Sequence, residues 1–197
     1  MSRGTPPHPS HAWPESLPRP VVVPYACAMS HSSTSVGVYP GSFDPLTVAH
    51  LAVAEAAVVH LGLTRVDLAI SIDALGKAHL DGDTVGRRVE LLERAAAPRP
   101  WLGVVVVDAQ LIADIAEGYD AVIMGADKWE QVVDPRWYGG DPAARDAALA
   151  RLPRVAVAPR AGAHAPAELL LPVPEHLAEV SASAVRAGRT EWAAPEP

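Results

Sequence analysis

The chain is poor in several things that narrow its chemistry. Its 197 residues include one cysteine, Cys27. A single cysteine forms no intrachain disulfide and builds no cysteine-based zinc site, and a cytoplasmic setting is the default. Among eight histidines no pair has convincing ligand spacing, so no protein-held metal is expected. Positive charge is also scarce. Lys and Arg total 16 against 23 Asp and Glu, a formal net charge of −7. Broad nucleic-acid binding needs a basic face, so no nucleic-acid partner is expected. A small phosphate ligand is not excluded, because a few local groups can hold one. No uninterrupted apolar run reaches the roughly 18 residues of a membrane span, so no membrane insertion is expected.

What is present suits one globular domain. The composition is 49% hydrophobic and 20% charged, enough apolar material for a sizeable core. Residues 1–34 are rich in Pro, Ser and His and have no helical or strand period, which reads as a disordered N-terminal tail. Within them the run from Val21 to Ala28 faintly resembles a signal peptide's apolar region, but it is short and broken by Pro24. Met29, just ahead of the patterned part, is the expected native start. Residues 35–190 form the expected domain, and residues 191–197 read as a loose C-terminal tail.

Inside the domain, strand and helix patterns alternate. Strands are expected at 35–39, 66–72, 101–107, 121–124 and 154–158. Helices are expected at 48–61, 84–97, 109–116 and 142–152. In the second helix Val89, Leu91 and Leu92 face inward and Arg87, Glu90, Glu93 and Arg94 largely outward. This order implies an α/β fold, Rossmann-like, with a mainly parallel sheet and helices on both faces. Ligands of such sheets bind beyond the carboxyl ends of the strands.

The segment between the first strand and first helix is the most informative. It reads Gly37-Val38-Tyr39-Pro40-Gly41-Ser42-Phe43-Asp44-Pro45-Leu46-Thr47-Val48-Ala49-His50. Gly41 brings backbone close to a ligand or takes a positive φ. Ser42 offers a hydroxyl, and Asp44 before Pro45 suits a turn. Thr47 and His50, three apart at a helix start, face one side. Unpaired N–H groups and the positive end of the helix dipole also point there, which favours an anion. A histidine that is cationic or donates a proton adds to that attraction. Taken alone, Thr-x-x-His also fits a capping Thr47 with a half-buried His50.

The whole segment resembles the nucleotidyltransferase superfamily of the His/Thr-x-Gly-His motif. That superfamily includes nicotinate or nicotinamide mononucleotide adenylyltransferases and pantetheine-phosphate adenylyltransferases. The resemblance covers roughly residues 35–190. One departure stands out: Ala49 occupies the motif's glycine position, and its methyl group crowds the approach of a nucleotide. Near the other end, Val180-Ser181-Ala182-Ser183-Ala184-Val185-Arg186 resembles the family's Ile-Ser-Ser-Thr-x-Ile-Arg signature, which grips ATP phosphates at a helix start. Ser181 and Arg186 match, Ser183 keeps a hydroxyl, and Ala182 lacks one. In isolation the same run is a capped helix start with a solvated arginine. The form typical of many cytidylyltransferases is absent, which favours ATP over CTP.

Between the signatures the resemblance picks out two further elements. Lys77, in the loop Asp73-Ala74-Leu75-Gly76-Lys77-Ala78-His79, matches a phosphate-contacting lysine, and its plain alternative is a solvated surface lysine. Arg88 matches an arginine that braces the loop by ion pairing and has no catalytic role. Gly125-Ala126-Asp127 resembles the step beside the nucleotide ribose, and its plain alternative is a strand-to-helix turn with Asp127 as cap. Trp129 and Trp137 are candidates to stack on a flat ring or to pack in a core or lid.

The resemblance implies an enzyme moving AMP from ATP to a phosphorylated small-molecule acceptor, with Mg²⁺ bridging phosphates and pyrophosphate leaving. His50, Thr47, Lys77 and Arg186 are the expected catalytic group. Gly41, Ser42, Phe43, Gly125, Asp127, Ser181 and Ser183 are the expected nucleotide-binding group. Tyr-Pro-Gly-Ser-Phe-Asp-Pro-Leu-Thr and the link Asp108-Ala109-Gln110-Leu111-Ile112-Ala113-Asp114 resemble the pantetheine-phosphate enzymes. The Asp-Ala-Leu-Gly-Lys loop and the Gly-Ala-Asp step resemble the pyridine mononucleotide enzymes, toward which the reading leans, with NAD biosynthesis as the setting. Residues 128–151 match neither. Ala49 and Ala182, which erode two signature positions, also fit a nucleotide-binding protein without turnover, against which Thr47, His50, Ser183 and Arg186 all remain. A homo-oligomer is compatible with the resemblance.

Overall fold

The computed structural model describes residues 34–72 and 81–195. The tail 1–33, Met29 included, and the loop carrying Lys77 lie outside the described residues. Five parallel strands form one sheet in the order β3-β2-β1-β4-β5. They are β1 (Val36–Pro40), β2 (Arg65–Ser71), β3 (Leu102–Val107), β4 (Ala121–Gly125) and β5 (Arg154–Ala158). The helices are α1 (Val48–Leu61), α2 (Gly82–Ala96), α3 (Ile112–Ile115), α4 (Ala126–Val133), α5 (Pro142–Ala150) and α6 (Ala182–Arg186). The chain runs outward from β1 to β3, then returns to the other side of β1 at β4. That reversal between β1 and β4 is the switch point at which such sheets open a ligand crevice.

Strand alternation divides the core into two layers. Tyr39, Leu68, Ile70 and Ile123 pack on one face with Val53, Ala54 and Ala57 of α1 and Leu92 and Ala95 of α2. Val38, Ala69, Val122 and Met124 pack on the other face with Ile115, Trp129, Val132 and Leu149. Helices therefore cover both faces. Strands buried on both sides read as near-continuous apolar runs, which is how β1, β2 and β4 look in sequence. No helix of the described residues is long and apolar enough to cross a membrane.

Two departures from the sequence reading have clear causes. In α2 Leu92 and Ala95 are buried and Val89 packs against the same core, as expected of Val89 and Leu92. Leu91 lies about 100° away from Leu92 around the axis and is 48% exposed. The second concerns residues 191–195, the described part of the segment expected to be loose. Thr190–Trp192 form a 3-10 turn in which the Arg189 guanidinium stacks 4.1 Å from the Trp192 ring. Ala193 then bridges Thr47 in antiparallel fashion, and the Ala194 N–H donates to the Leu46 carbonyl at 2.9 Å. Two backbone partners unavailable to local reasoning fasten the segment.

The corrected stripe makes a direct test. Leu92→Ala should cost about 2–5 kcal/mol of unfolding free energy, as buried leucine truncations do. Leu91→Ala should stay within about 0.5 kcal/mol. Urea melts of both variants would measure this, and equal losses would contradict the observed facing of α2.

Candidate active site

The turn after β1 is built around an absent side chain. A Cβ on Gly41 would stand 2.7 Å from Phe43 Cζ, so glycine is what lets the Phe43 ring fold back beneath the turn. The positive φ, 45°, falls on Phe43 rather than on Gly41. Phe43 is 4% exposed and packs edge-on against Tyr39 (5.5 Å) and His50 (5.1 Å). Its side chain therefore backs the site from the core, and only its backbone is available to a ligand. The Gly41 N–H itself bonds the Ala69 carbonyl at 3.0 Å, which ties the turn to β2.

Thr47 and His50 meet as a capping box at the start of α1. The Thr47 N–H donates to His50 Nδ1 at 3.0 Å, the His50 N–H donates to Thr47 Oγ1 at 3.3 Å, and Oγ1 lies 2.9 Å from Nδ1. Thr47 is fully buried and His50 is 8% exposed, so His50 is more enclosed than the half-buried histidine of an ordinary capping turn. Because Nδ1 accepts a backbone N–H, the neutral ring carries its proton on Nε2. Burial, with a smaller contribution from the Arg160 guanidinium, lowers the His50 pKa to about 3. The ring is therefore a neutral donor near neutral pH, not a cation. Ala49, at the position where the superfamily motif has glycine, is 3% exposed.

Arginines stitch the turn from outside. Arg88 on α2 donates to Asp44 Oδ2 at 2.9 Å and to the Ser42 carbonyl at 3.4 Å. Arg186 on α6 donates to the Asp44 carbonyl through Nη1 and to Ser183 Oγ at 3.2 Å through Nη2. Ser181 caps α6 by accepting the Ala184 N–H at 3.2 Å. The first and second signatures thus touch, across the whole length of the fold.

A cavity of about 370 Å³ opens beside the turn. Gly41, Ser42, Asp44, Arg88 and Arg186 form one wall, and Ser71, Gln110, Leu111 and Ile112 another. Lys128 and Gln131 of α4 and the rings of Trp137 and Tyr138 complete it. Those rings sit on a 3-10 turn, Pro135–Tyr138, anchored where the Tyr138 hydroxyl donates to the Val132 carbonyl at 2.9 Å. Gly41, Ser42 and Arg186 are the sequence-expected residues that line the cavity. Thr47, His50, Phe43, Gly125, Asp127, Ser181 and Ser183 lie outside its lining. Trp129 is fully buried in the second core layer, so of the two tryptophans only Trp137 faces the cavity.

Gly125 and Asp127 stand at the β4–α4 junction. Gly125 rather than Asp127 occupies the cap position of α4, and no side chain caps it. Asp127, 65% exposed at its side chain, pairs with Arg160 at 3.8 Å. Sequence reasoning overlooked Arg160. The available signal was a cation two residues beyond the carboxyl end of a parallel strand. It equally passed over Lys128 and Gln131, because no motif covers that region. Among the described residues no group of three or more His, Cys, Asp or Glu side chains could hold a metal ion. Those described residues offer no carboxylate cradle, and a metal held by them alone would have to be carried largely by phosphate oxygens.

Comparison with known proteins identifies the family. A family model described as cytidylyltransferase-like matches residues 38–188. The chain belongs to that family, within the nucleotidyltransferase superfamily. Among curated relatives, a phosphopantetheine adenylyltransferase of Rhizorhabdus wittichii is 32% identical over 88 residues, 45% of this chain and 50% of the relative. A phosphopantetheine adenylyltransferase of Syntrophus aciditrophicus is 32% identical over 91 residues, 46% of this chain and 52% of the relative. The chain spans about half the length of the curated relatives it matches.

The His50 state has a measurable sign. Its ordinary pKa, 6.5, is lowered to about 3 by folding. Between those values the unfolded chain takes up a proton that the folded one refuses, so this group's contribution to stability is present above pH 6.5 and is lost as pH falls toward 3. His50→Gln, which keeps a neutral acceptor for the Thr47 N–H, should flatten the stability–pH slope in that window. An NMR titration of His50 with a midpoint near 6.5 would contradict the buried neutral ring.

Proposed function

We propose that the protein is an adenylyltransferase that moves AMP from ATP onto the phosphate of a small-molecule acceptor and releases pyrophosphate. The observation that carries this reading is the meeting of the two signatures, with Arg186 beside Ser183 bonded to the turn that leads to Thr47 and His50. The acceptor occupies the cavity, whose wall carries Arg88, Lys128 and Arg186 against the single carboxylate of Asp44. ATP lies on the other side of β1, along Gly125, Asp127, Ser181 and Ser183.

An acceptor phosphate oxygen attacks the α-phosphorus in line. The new P–O bond forms as the bond to pyrophosphate breaks, and pyrophosphate leaves with the electron pair. The acceptor is an anion at neutral pH, so no general base is needed. The protein's contribution is positioning and charge stabilisation. His50 donates Nε2–H to an oxygen of the transferring phosphate, and Thr47 fixes the ring through Nδ1. The backbone of Ser42 and Phe43 holds phosphate oxygens, Lys77 and Arg186 balance the triphosphate, and Mg²⁺ would enter with it. The mononucleotide motif likenesses argue for a nicotinate or nicotinamide acceptor, and Trp137 in the cavity wall offers a face to a flat pyridine. The relatives favour the other candidate, 4′-phosphopantetheine, and we adopt it. Gln110, Leu111 and Ile112, from the link that resembles the pantetheine-phosphate enzymes, line the same cavity.

Pyrophosphate release should be followed with ATP, Mg²⁺ and each of 4′-phosphopantetheine, nicotinate mononucleotide and nicotinamide mononucleotide. Turnover is expected with the first. His50→Ala should lower kcat by roughly two orders of magnitude or more, as loss of one transition-state donor does. Turnover confined to a mononucleotide would replace the acceptor, and ATP binding without turnover on any acceptor would remove catalysis from the reading.

A further inference from the structure

Arg160 follows β5 at the edge of the sheet where the signatures gather, and its side chain is only 20% exposed. Its Nη1 donates to the carbonyl of Val180, the residue immediately before the α6 cap Ser181. Its Nε faces Asp127 Oδ1 at 3.8 Å. The same guanidinium crowds the open side of Gly125, where an added Cβ would come within 3.2 Å of Nε. One planar cation therefore touches both elements assigned to the nucleotide, the β4–α4 step and the α6 signature. A guanidinium presents several donors in fixed directions, which suits it to hold two partners at once. The backbone contact matters most here, since a largely exposed carboxylate at 3.8 Å contributes little by itself. Its field also reaches His50 and Tyr39.

We propose that Arg160 is a positioning residue of the nucleotide half of the site, fixing the start of the Ser181–Arg186 signature relative to Gly125 and Asp127. The role rests on the adenylyl-transfer reading above. Arg160 sets the separation of the two walls between which ATP lies, and it lines no part of the acceptor cavity. Its loss should therefore weaken nucleotide binding and leave acceptor binding alone. A lysine keeps the charge but not the fork, so it should restore part of the effect.

The test is calorimetric titration of the full chain with a non-hydrolysable ATP analogue and Mg²⁺, and separately with 4′-phosphopantetheine, for wild type, Arg160→Met and Arg160→Lys. Thermal melts of the same samples check folding. Arg160→Met should bind the analogue about tenfold or more weakly, the scale of a lost charge-assisted hydrogen bond. Arg160→Lys should fall between, and acceptor affinity should stay within about twofold. Equal analogue affinity in all three, or equal losses for both ligands, would overturn the positioning role. Wild type that binds no analogue would overturn the adenylyl-transfer reading itself, and Arg160's role with it.

Discussion

Everything at this site depends on the reciprocal hydrogen bonding of Thr47 and His50. The pair caps α1, and a cap of this kind contributes on the order of 1 kcal/mol to helix stability. The same bonds dictate the chemistry of the ring. With Nδ1 occupied by the Thr47 N–H, the proton must sit on Nε2. Phe43 and Tyr39 close around the imidazole and exclude the water that would favour its charge. Helix start, tautomer and charge state are thus one arrangement. The helix cap and the phosphate donor are described by the same bonds.

Around that core the loops are held by arginines rather than by sheet pairing. Beyond the carboxyl end of a parallel sheet, backbone carbonyls have lost their ladder partners and need others. Arg88, Arg160 and Arg186 supply them to Ser42, Val180 and Asp44. Each joins segments distant in sequence, so the crevice is assembled from long-range contacts. The cavity borrows its remaining wall from α4 and the 3-10 turn after it.

The sheet was legible because β1, β2, β4 and β5 are buried on both faces, the partly exposed edge strand β3 is a run of β-branched residues, and helices alternate with the strands. Runs such as Val104–Val107 and Val155–Val157 leave little other reading. The signatures were legible because order and spacing within a turn carry information that single residues do not. What escaped has a common cause. Arg160 matters through Val180 and Asp127, which no local pattern links to it. Leu91 and Leu92 are alike in type, and only the phase of α2 against the sheet separates them. Gly41 was read as allowing close backbone approach or a positive φ, yet what it does is leave room for a ring two residues on. Trp129 and Trp137 look equivalent in sequence, and the packing of α4 sends one inward and the other to the cavity.

The bridge from Ala193 and Ala194 to Thr47 and Leu46 also bears on how the protein comes into being. Synthesis proceeds from the amino end, so Leu46 and Thr47 leave the ribosome long before their partners exist. Until Ala194 has emerged, the edge of that turn has no backbone to pair with, and Arg186 has not yet reached Asp44. A nascent chain can lay down β1 to β4 and still hold an unfinished pocket. Residues made late complete a motif made early, and a chain not yet synthesised as far as Ala194 lacks an assembled site.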